Sequence, residues 1–300
     1  MKSVGLRELY DQFGFVVVPH VLSADEVRSI RALCDRLFQD RANHPSNLLS
    51  SDVLRQRELW SVALRGPVVR ALKAVLGDDY TMFSDLTVPR NVFGVPRTLH
   101  RDADSEGYQE YLLASDYRFV KCGVFLQDND REWGGGVTVT PSAHRFPLRT
   151  PSVKLTFRVK KLRDLVALHT RERWVDIKAG DFLCFDSRLP HQSSMGSRFT
   201  PKDISDSQLP LPPDRTKYVL YWDCSTSAPY VDAFLANSVR RAATEPAFRD
   251  YVRLSFPNDY PPEFVESVAQ AGIRVASLPP DDATYWQSEH ARFIAAKPIP

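Results

Sequence analysis

The chain has 300 residues, which is enough for one large domain or two small ones with a well-buried core. Its composition, 43% hydrophobic and 25% charged, is that of an ordinary globular protein and excludes a disordered or fibrous chain. Lys and Arg total 39 against 37 Asp and Glu, a formal net charge of +2, which argues against a protein that binds nucleic acid through its phosphates.

Membrane and secretory signals are missing from the sequence. A membrane-spanning helix needs about 20 apolar residues, and the longest apolar runs here are only a few residues long. Residues 1–12 carry Glu8 and Asp11 in place of an apolar signal core, so we expect a cytoplasmic protein with no membrane partner. The four cysteines are widely spaced without a CxxC pair, which favours buried, reduced thiols over a zinc or disulfide site. They are Cys34, Cys122, Cys184 and Cys224.

The N-terminal part, residues 1–79, is predicted to be mainly helical. A short strand is predicted over residues 13–19, which are rich in β-branched and aromatic side chains. A helix follows, and its start is indicated by Ser23 and Glu26 at the spacing of a capping box. A second amphipathic helical run covers residues 59–76, with an interruption at a Gly-Pro pair.

The central part, residues 80–224, changes to short strand-like runs separated by Gly, Pro and Asp turns. This pattern is typical of an all-β barrel or double sheet. The clearest runs are residues 119–126, 136–140 and 218–222.

Helical periodicity returns in the last quarter of the chain, near residues 231–243 and 264–271. Residues 225–300 are therefore predicted to form a helical C-terminal extension. We expect the three parts to belong to one domain that comprises residues 1–300.

A His-x-Asp motif lies in the β-rich part, at His100 and Asp102. In extended backbone, residues two apart point to the same side, so both side chains are able to ligate one ion. A third candidate ligand, His191, follows a strand-like run 89 residues after Asp102, and a barrel would bring it to the same centre. Two imidazoles and one carboxylate on one face form the facial triad of non-haem Fe(II) oxygenases. Taken alone, this spacing would also fit a different interpretation, in which His100 and Asp102 lie in a surface turn and His191 is an unrelated buried histidine.

Four stretches occur together in a specific order. They are residues 10–27, which contain YDQFGFVVVP and LSADEV; residues 99–102, LHRD; residues 133–144, WGGGVTVTPSAH; and residues 179–193, AGDFLCFDSRLPHQS. As a set, these stretches resemble the phytanoyl-CoA dioxygenase-like family of Fe(II)/2-oxoglutarate-dependent oxygenases.

The resemblance implies a mainly β fold with flanking helices, built on a double-stranded β-helix, the jelly-roll core of cupins. It implies that His100, Asp102 and His191 are the iron ligands and the catalytic centre, with 2-oxoglutarate and O2 as cosubstrates. Related halogenases carry a small residue in place of this aspartate. The carboxylate of Asp102 therefore implies hydroxylation, desaturation or cyclisation.

The far carboxylate of 2-oxoglutarate needs a cation, ideally a guanidinium that forms two parallel hydrogen bonds. In the family, an arginine at the start of the strand after the distal histidine supplies it. Arg215 matches that place, and Ser193 matches a hydroxyl position beside the same carboxylate.

The spacing departs from the family pattern, because 24 residues separate His191 from Arg215, roughly double the family gap. Arg198 and Lys202 therefore remain alternatives for the carboxylate. A proline-rich loop over residues 199–214 accounts for the excess and is interpreted as a lid over the substrate.

Other polar residues near these motifs are interpreted as structural. His144 ends a strand-like run and is interpreted as a packing residue. Asp181 and Asp186 flank the strand before His191, but a spacing of five places them on opposite faces, unlike the paired carboxylates of a hydrolase.

Together these observations predict an Fe(II)/2-oxoglutarate-dependent dioxygenase that hydroxylates or otherwise oxidises a small molecule of specialised metabolism and releases succinate and CO2. Alternatives are a non-catalytic cupin-like binding protein and a protein hydroxylase with an open groove. The polar, arginine-containing neighbourhood of these motifs favours sugar-like or amino-acid-derived substrates, and no basic cluster indicates CoA. We expect a monomer or a homodimer.

Overall fold

The computed structural model describes residues 5–39, 46–91, 99–102, 116–145, 172–198, 211–226, 230–244, 254 and 260–276. The helices that precede the β-rich part are α1 (Leu6–Phe13), α2 (Ala24–Gln39), α3 (Ser50–Val53), α4 (Arg57–Ala63) and α5 (Gly66–Leu76).

Helix α2 begins at the predicted capping box. The backbone N–H of Ser23 donates to Oε2 of Glu26 at 2.8 Å, and the backbone N–H of Glu26 donates to Oγ of Ser23 at 3.3 Å. These bonds satisfy two of the N–H groups that a helix start leaves unpaired. The predicted interruption of the next helical run is also confirmed, since α4 ends before Gly66 and α5 starts there.

The predicted strand over residues 13–19 is shorter than expected, and α1 occupies its start. Strand β1 covers only Phe15–Val18. Gly14 ends α1 in the left-handed conformation, with φ of 83°, and its N–H donates to the carbonyl of Tyr10 at 2.7 Å. Helix α1 was not predicted because it is polar, and Tyr10 is its one buried residue.

Two sheets form the β-rich part. The larger has the order β1-β8-β5-β10-β3-β11, with β4 paired to β10 and β2 paired to β4, and the smaller has the order β7-β6-β9. Pairing among the described strands is antiparallel except between β11 and β3. The strands after β1 are β2 (Asn47–Leu48), β3 (Thr81–Phe83), β4 (Val88–Asn91), β5 (Phe119–Phe125), β6 (Gly134–Val139), β7 (Arg173–Trp174), β8 (Phe182–Asp186), β9 (His191–Met195), β10 (Lys217–Ser225) and β11 (Arg274–Ala276).

The two sheets share an apolar core. Phe125, Phe185 and Val219 from the larger sheet pack with Val137 and Val139 from the smaller one. Burial of this face is what selects the register of the strands, since a shift of one residue would turn each side chain outward. Two antiparallel sheets around one core confirm the predicted double-stranded β-helix.

The opposite face of the larger sheet packs against the N-terminal helices. Cys122 and Trp222 from adjacent strands join Cys34 of α2 in one buried cluster. All four cysteines are buried with free thiols, as predicted.

The C-terminal part contains the helices α6 (Tyr230–Thr244) and α7 (Pro262–Gln270), close to the predicted positions. It also contains β11, which pairs in parallel with β3 and so extends the larger sheet. Among the described helices, none combines the length and the apolar character that a bilayer span requires.

Glycine is required at the start of β6, the strand that pairs with β9. Gly134 has a φ of 73°, and a Cβ there would lie 2.1 Å from the carbonyl oxygen of Ser194. We expect Gly134→Ala to lower the free energy of unfolding by about 2–5 kcal/mol, from left-handed strain and the clash together. Urea denaturation measures this value.

Two other glycines are matched controls for that variant. Gly77 has a φ of 101° and a ψ of 169°, a conformation essentially restricted to glycine, but a Cβ at this position would meet no atom within 4 Å, so Gly77→Ala tests backbone strain alone, about 1–3 kcal/mol. Gly5 has neither strain nor a neighbour within 4 Å, so we expect Gly5→Ala to change stability by about 0.5 kcal/mol or less. Equal costs at all three positions would contradict this ranking.

Candidate active site

Backbone pairing brings two of the predicted ligands face to face. His100 and His191 form an isolated antiparallel bridge. The N–H of His100 donates to the carbonyl of His191 at 3.0 Å, and the N–H of His191 donates to the carbonyl of His100 at 2.9 Å. Directly opposed residues of an antiparallel pair project their side chains to the same side. Their imidazole centroids are accordingly 4.4 Å apart.

Asp102 completes the cluster two residues after His100. Its Oδ1 lies 3.6 Å from Nε2 of His100 and 3.8 Å from Nε2 of His191. One ligand atom from each of the three side chains lies within 4.8 Å of the others. The structure therefore brings the three predicted ligands together, in a donor set that suits Fe(II).

The ring of His191 is held in position by contacts on two sides. Its Nδ1 hydrogen-bonds with the carbonyl of Leu189 at 3.0 Å, which makes Nδ1 the protonated nitrogen and leaves Nε2 as the lone-pair donor. The ring of Phe185 packs against it with centroids 4.5 Å apart. Burial and the nearby His100 outweigh Asp102 and lower the pKa of His191, so the imidazole is neutral, as a metal ligand must be.

Asp102 is ionised in this setting. Burial alone would favour the protonated acid, but the imidazoles of His191 and His100 and the ammonium of Lys121 outweigh burial and lower the pKa of Asp102. An ionised carboxylate beside two imidazoles leaves an attractive site for a divalent cation.

The three side chains lie in the wall of a cavity of about 440 Å³. This volume is within the range of small-molecule sites. Besides the three side chains, the lining includes Ser193, Lys121, Lys217, Tyr221, Phe125 and Phe185.

Two lysines of this cavity were not singled out from the sequence. Lys121 lies on β5 and forms an ion pair with Asp223, with Nζ 2.9 Å from Oδ2. Lys217 is the first residue of β10. The signal that would have found Lys217 is strand alternation, because it shares the inward face with Val219 and Tyr221.

Ser193 and Arg215 occupy different surroundings. Ser193 is two residues after His191 on β9 and lines the cavity. Arg215 lies in the short 3-10 turn Pro213–Arg215, where its side chain is 44% exposed. Its guanidinium is 3.4 Å from Asp214 and 3.9 Å from Asp130.

Of the alternatives for the carboxylate, Arg198 is exposed and pairs with Glu132 while it stacks on Trp133. Lys202 lies outside the described residues, as does most of the predicted lid.

The residues interpreted as structural have structural contacts. Asp181 accepts hydrogen bonds from the backbone N–H groups of His20 and Lys178 at 2.8 Å each. Asp186 is fully buried and pairs with Arg188. His144 is buried beside Tyr10, away from the cavity.

Several solved structures share this fold. SnoN, an epimerase from nogalamycin biosynthesis solved with Fe3+, alpha ketoglutarate and nogalamycin RO, aligns with 74% of this chain and 82% of its own at 18% identity and a TM-score of 0.52. EctD from S. alaskensis with bound Fe aligns over 73% and 74% at 18% identity, also with a TM-score of 0.52.

HygX from Streptomyces hygroscopicus, solved with nickel and 2-oxoglutarate, aligns over 73% of this chain and 85% of its own at 15% identity and a TM-score of 0.52. At these identities the likeness shows the fold. No curated protein matches the sequence significantly.

A comparison of the sequence with protein-family models identifies the family. The phytanoyl-CoA dioxygenase (PhyH) family model matches residues 10–198, which include helices α2 to α5, strands β1 to β9 and the His-Asp-His cluster. Because the match spans more than half of the chain, the protein belongs to the phytanoyl-CoA dioxygenase family.

Proposed function

We propose that the protein is an Fe(II)- and 2-oxoglutarate-dependent oxygenase that oxidises a small polar molecule. The observation that carries the proposal is the convergence of His100, Asp102 and His191 at the wall of a small cavity. The family match and structural neighbours solved with iron and 2-oxoglutarate support it.

The three side chains would hold iron on one face and leave the face toward the cavity open for other ligands. Bound iron and 2-oxoglutarate supply O2 activation, coupled to conversion of the 2-oxo acid into succinate and CO2. The protein's contribution is to position these groups and to limit water.

Several residues perform that positioning. The carbonyl of Leu189 fixes the His191 ring, and Phe185 covers one side of it. Ser193, on the same strand face as His191, is placed to donate its hydroxyl hydrogen to the far carboxylate of 2-oxoglutarate. We place the basic partner of that carboxylate at the start of β10, at Arg215 or Lys217, although Arg90 and Lys121 also line the cavity.

The cavity favours a small polar substrate over a peptide or an acyl-CoA. Its volume of about 440 Å³ is shared between cosubstrate and substrate, and polar side chains such as Asn47, Thr87 and Tyr221 contribute to its lining. The structural neighbours include enzymes of nogalamycin biosynthesis and EctD with 5-hydroxyectoine, and they support a role in specialised metabolism. Sugar-like and amino-acid-derived compounds are the classes to test first.

Succinate release tests this proposal. The purified protein is incubated with Fe(II), O2, ascorbate and 2-oxoglutarate, alone and with a panel of sugars, amino acids and acyl-CoAs. We expect slow succinate formation without a substrate and faster formation with a compound of the first two classes.

The variant His191→Ala is the control for iron that is free in solution. Succinate formation that persists in this variant would contradict the assigned ligands. Stimulation by acyl-CoAs alone would contradict the small polar substrate, and no succinate from the iron-loaded wild type would favour a non-catalytic binding protein.

A further inference from the structure

Three basic side chains line the cavity in the described residues, namely Arg90, Lys121 and Lys217. The guanidinium of Arg90 lies over the ring of Phe38, 4.5 Å from its centroid. The two lysines differ in how their charges are balanced. The ammonium of Lys121 lies 2.9 Å from the carboxylate of Asp223, whose side chain is 5% exposed. Burial alone would disfavour the charge, yet Asp223, Asp102 and Asp85 outweigh burial and raise the pKa of Lys121. Its charge is therefore already compensated within the protein.

The charge of Lys217 has no such compensation. Lys217 is partly buried at the start of β10, and within the described part of the chain no carboxylate forms an ion pair with it. Burial lowers the pKa of Lys217 from 10.5 to about 8, and no charge among the described residues opposes it. At neutral pH the cavity thus contains an ammonium that has lost part of its hydration without gaining a partner in the described part of the chain.

Such an arrangement favours an anionic ligand. A partly dehydrated charge raises the free energy of the empty protein, and an anion that enters the cavity offsets that cost. Lys217 is on the inward face of β10 with Val219 and Tyr221, and it lines the same cavity as Ser193 and the His-Asp-His cluster.

Arg215, two residues earlier, has the opposite features. Its side chain is 44% exposed, it is not part of the cavity lining, and Asp214 and Asp130 already lie within 4 Å of its guanidinium. Binding a carboxylate inside the barrel would require Arg215 to leave both partners and turn inward.

We propose that Lys217, and not Arg215, is the cation that pairs with the far carboxylate of 2-oxoglutarate. The inference rests on the proposed function, and it specifies which residue of this chain selects a dicarboxylic 2-oxo acid. Iron at the cluster would hold one end of the acid, and Lys217 with Ser193 would hold the other.

The test compares two ligands that differ only at the far end. One is 2-oxoglutarate, and the other is 2-oxopentanoate, a five-carbon 2-oxo acid with a methyl group in place of the far carboxylate. Both chelate iron through the 1-carboxylate and the 2-oxo group. Anaerobic titration of the Fe(II)-loaded protein, followed by the visible charge-transfer band of the chelate, gives a Kd for each ligand without turnover.

In the wild type we expect tighter binding of 2-oxoglutarate than of 2-oxopentanoate. Lys217→Met removes the charge at similar length, and we expect it to raise the Kd for 2-oxoglutarate about 10- to 100-fold while the Kd for 2-oxopentanoate changes less than about twofold. Lys217→Arg retains a cation and is expected to preserve the preference. Lys178→Met, at a 53% exposed lysine outside the cavity, controls for the substitution itself.

The Tm of the unliganded protein provides a second readout. If Lys217 only stabilised the fold, Lys217→Met would lower this Tm. An ammonium without a partner contributes no favourable ion pair, so we expect Lys217→Met to leave the Tm of the metal-free, ligand-free protein unchanged or higher. The rise in Tm produced by saturating Fe(II) and a fixed concentration of 2-oxoglutarate is expected to shrink in this variant.

The outcomes separate this inference from the function on which it rests. A wild type that forms no band with either 2-oxo acid would overturn both. A band with full 2-oxoglutarate preference in Lys217→Met, together with loss of that preference in Arg215→Gln, would assign the carboxylate to Arg215 and overturn only the inference. A lowered Tm in the unliganded Lys217→Met protein would also contradict it.

Discussion

Replacing His191 with alanine lowers the affinity for a divalent metal at least about 100-fold and removes 2-oxoglutarate turnover. In the proposed centre His191 contributes one of three ligand atoms, and among the described residues His100 is the only other histidine in the cluster. Loss of a residue that only hydrogen-bonds to a metal ligand costs about 10–100-fold in metal affinity. Loss of a ligand itself therefore costs more. Anaerobic equilibrium dialysis with Fe(II) measures the affinity directly.

His20 provides the control for this variant. It is exposed at a turn with φ of 55°, a conformation that asparagine tolerates well, so His20→Asn removes an imidazole without disturbing the cavity. We expect wild-type metal affinity in His20→Asn. Equal affinities in His191→Ala and the wild type would remove His191 from the metal centre.

Replacing Asp186 with asparagine lowers the free energy of unfolding by about 3–5 kcal/mol, the cost of leaving one member of a buried ion pair without its partner. Asp186 is fully buried, and it accepts bonds from Nε of Arg188 at 2.8 Å and from its Nη2 at 2.7 Å. The hydroxyl of Tyr10 donates to the same carboxylate at 2.9 Å. Urea denaturation, with the slope held common to all variants, measures the change.

The ion pair also orders the turn that leads to the metal centre. The N–H of Leu189 donates to the carbonyl of Asp186 at 2.8 Å, and the carbonyl of Leu189 in turn holds the ring of His191. We therefore expect weaker metal binding in Asp186→Asn at temperatures where the variant is still folded.

Two further variants test whether the pair itself is responsible. Asp176→Asn removes a carboxylate that is 82% exposed, and we expect it to change stability by less than about 0.5 kcal/mol. The double variant Asp186→Asn/Arg188→Met is expected to cost less than the sum of the two single changes, because it leaves no charge stranded. Additive costs would contradict the assignment.

Local sequence signals were sufficient for much of the fold. The Ser23–Glu26 capping box marks the start of α2, and the Gly-Pro pair separates α4 from α5. The β-branched runs identify β5 and β10. Periodicity does not predict that these two strands pair with each other, because register depends on contacts between distant residues.

The clustering of His100, Asp102 and His191 was predictable from the combination of a motif and a family resemblance. The spacing of His100 and Asp102 places both on one side of extended backbone, but the approach of His191 depends on a backbone bridge that spans 91 residues. The resemblance supplied that long-range pairing.

The cation at the start of β10 shows where sequence reasoning reaches its limit. Arg215 was favoured because it precedes a strand and because guanidinium suits a carboxylate. Burial and competing ion pairs distinguish Arg215 from Lys217, and both are properties of the folded chain. Strand parity does not separate them, because residues two apart point to the same face of a strand.

The central claim is that one iron and one 2-oxoglutarate bind together at the His-Asp-His cluster. Anaerobic titration of the metal-free wild type, first with Fe(II) and then with 2-oxoglutarate, tests it most directly. We expect a visible charge-transfer band that saturates at one equivalent of iron and is absent from His191→Ala. A wild type that binds Fe(II) at this stoichiometry without forming the band, or a band that persists in His191→Ala, would contradict the account.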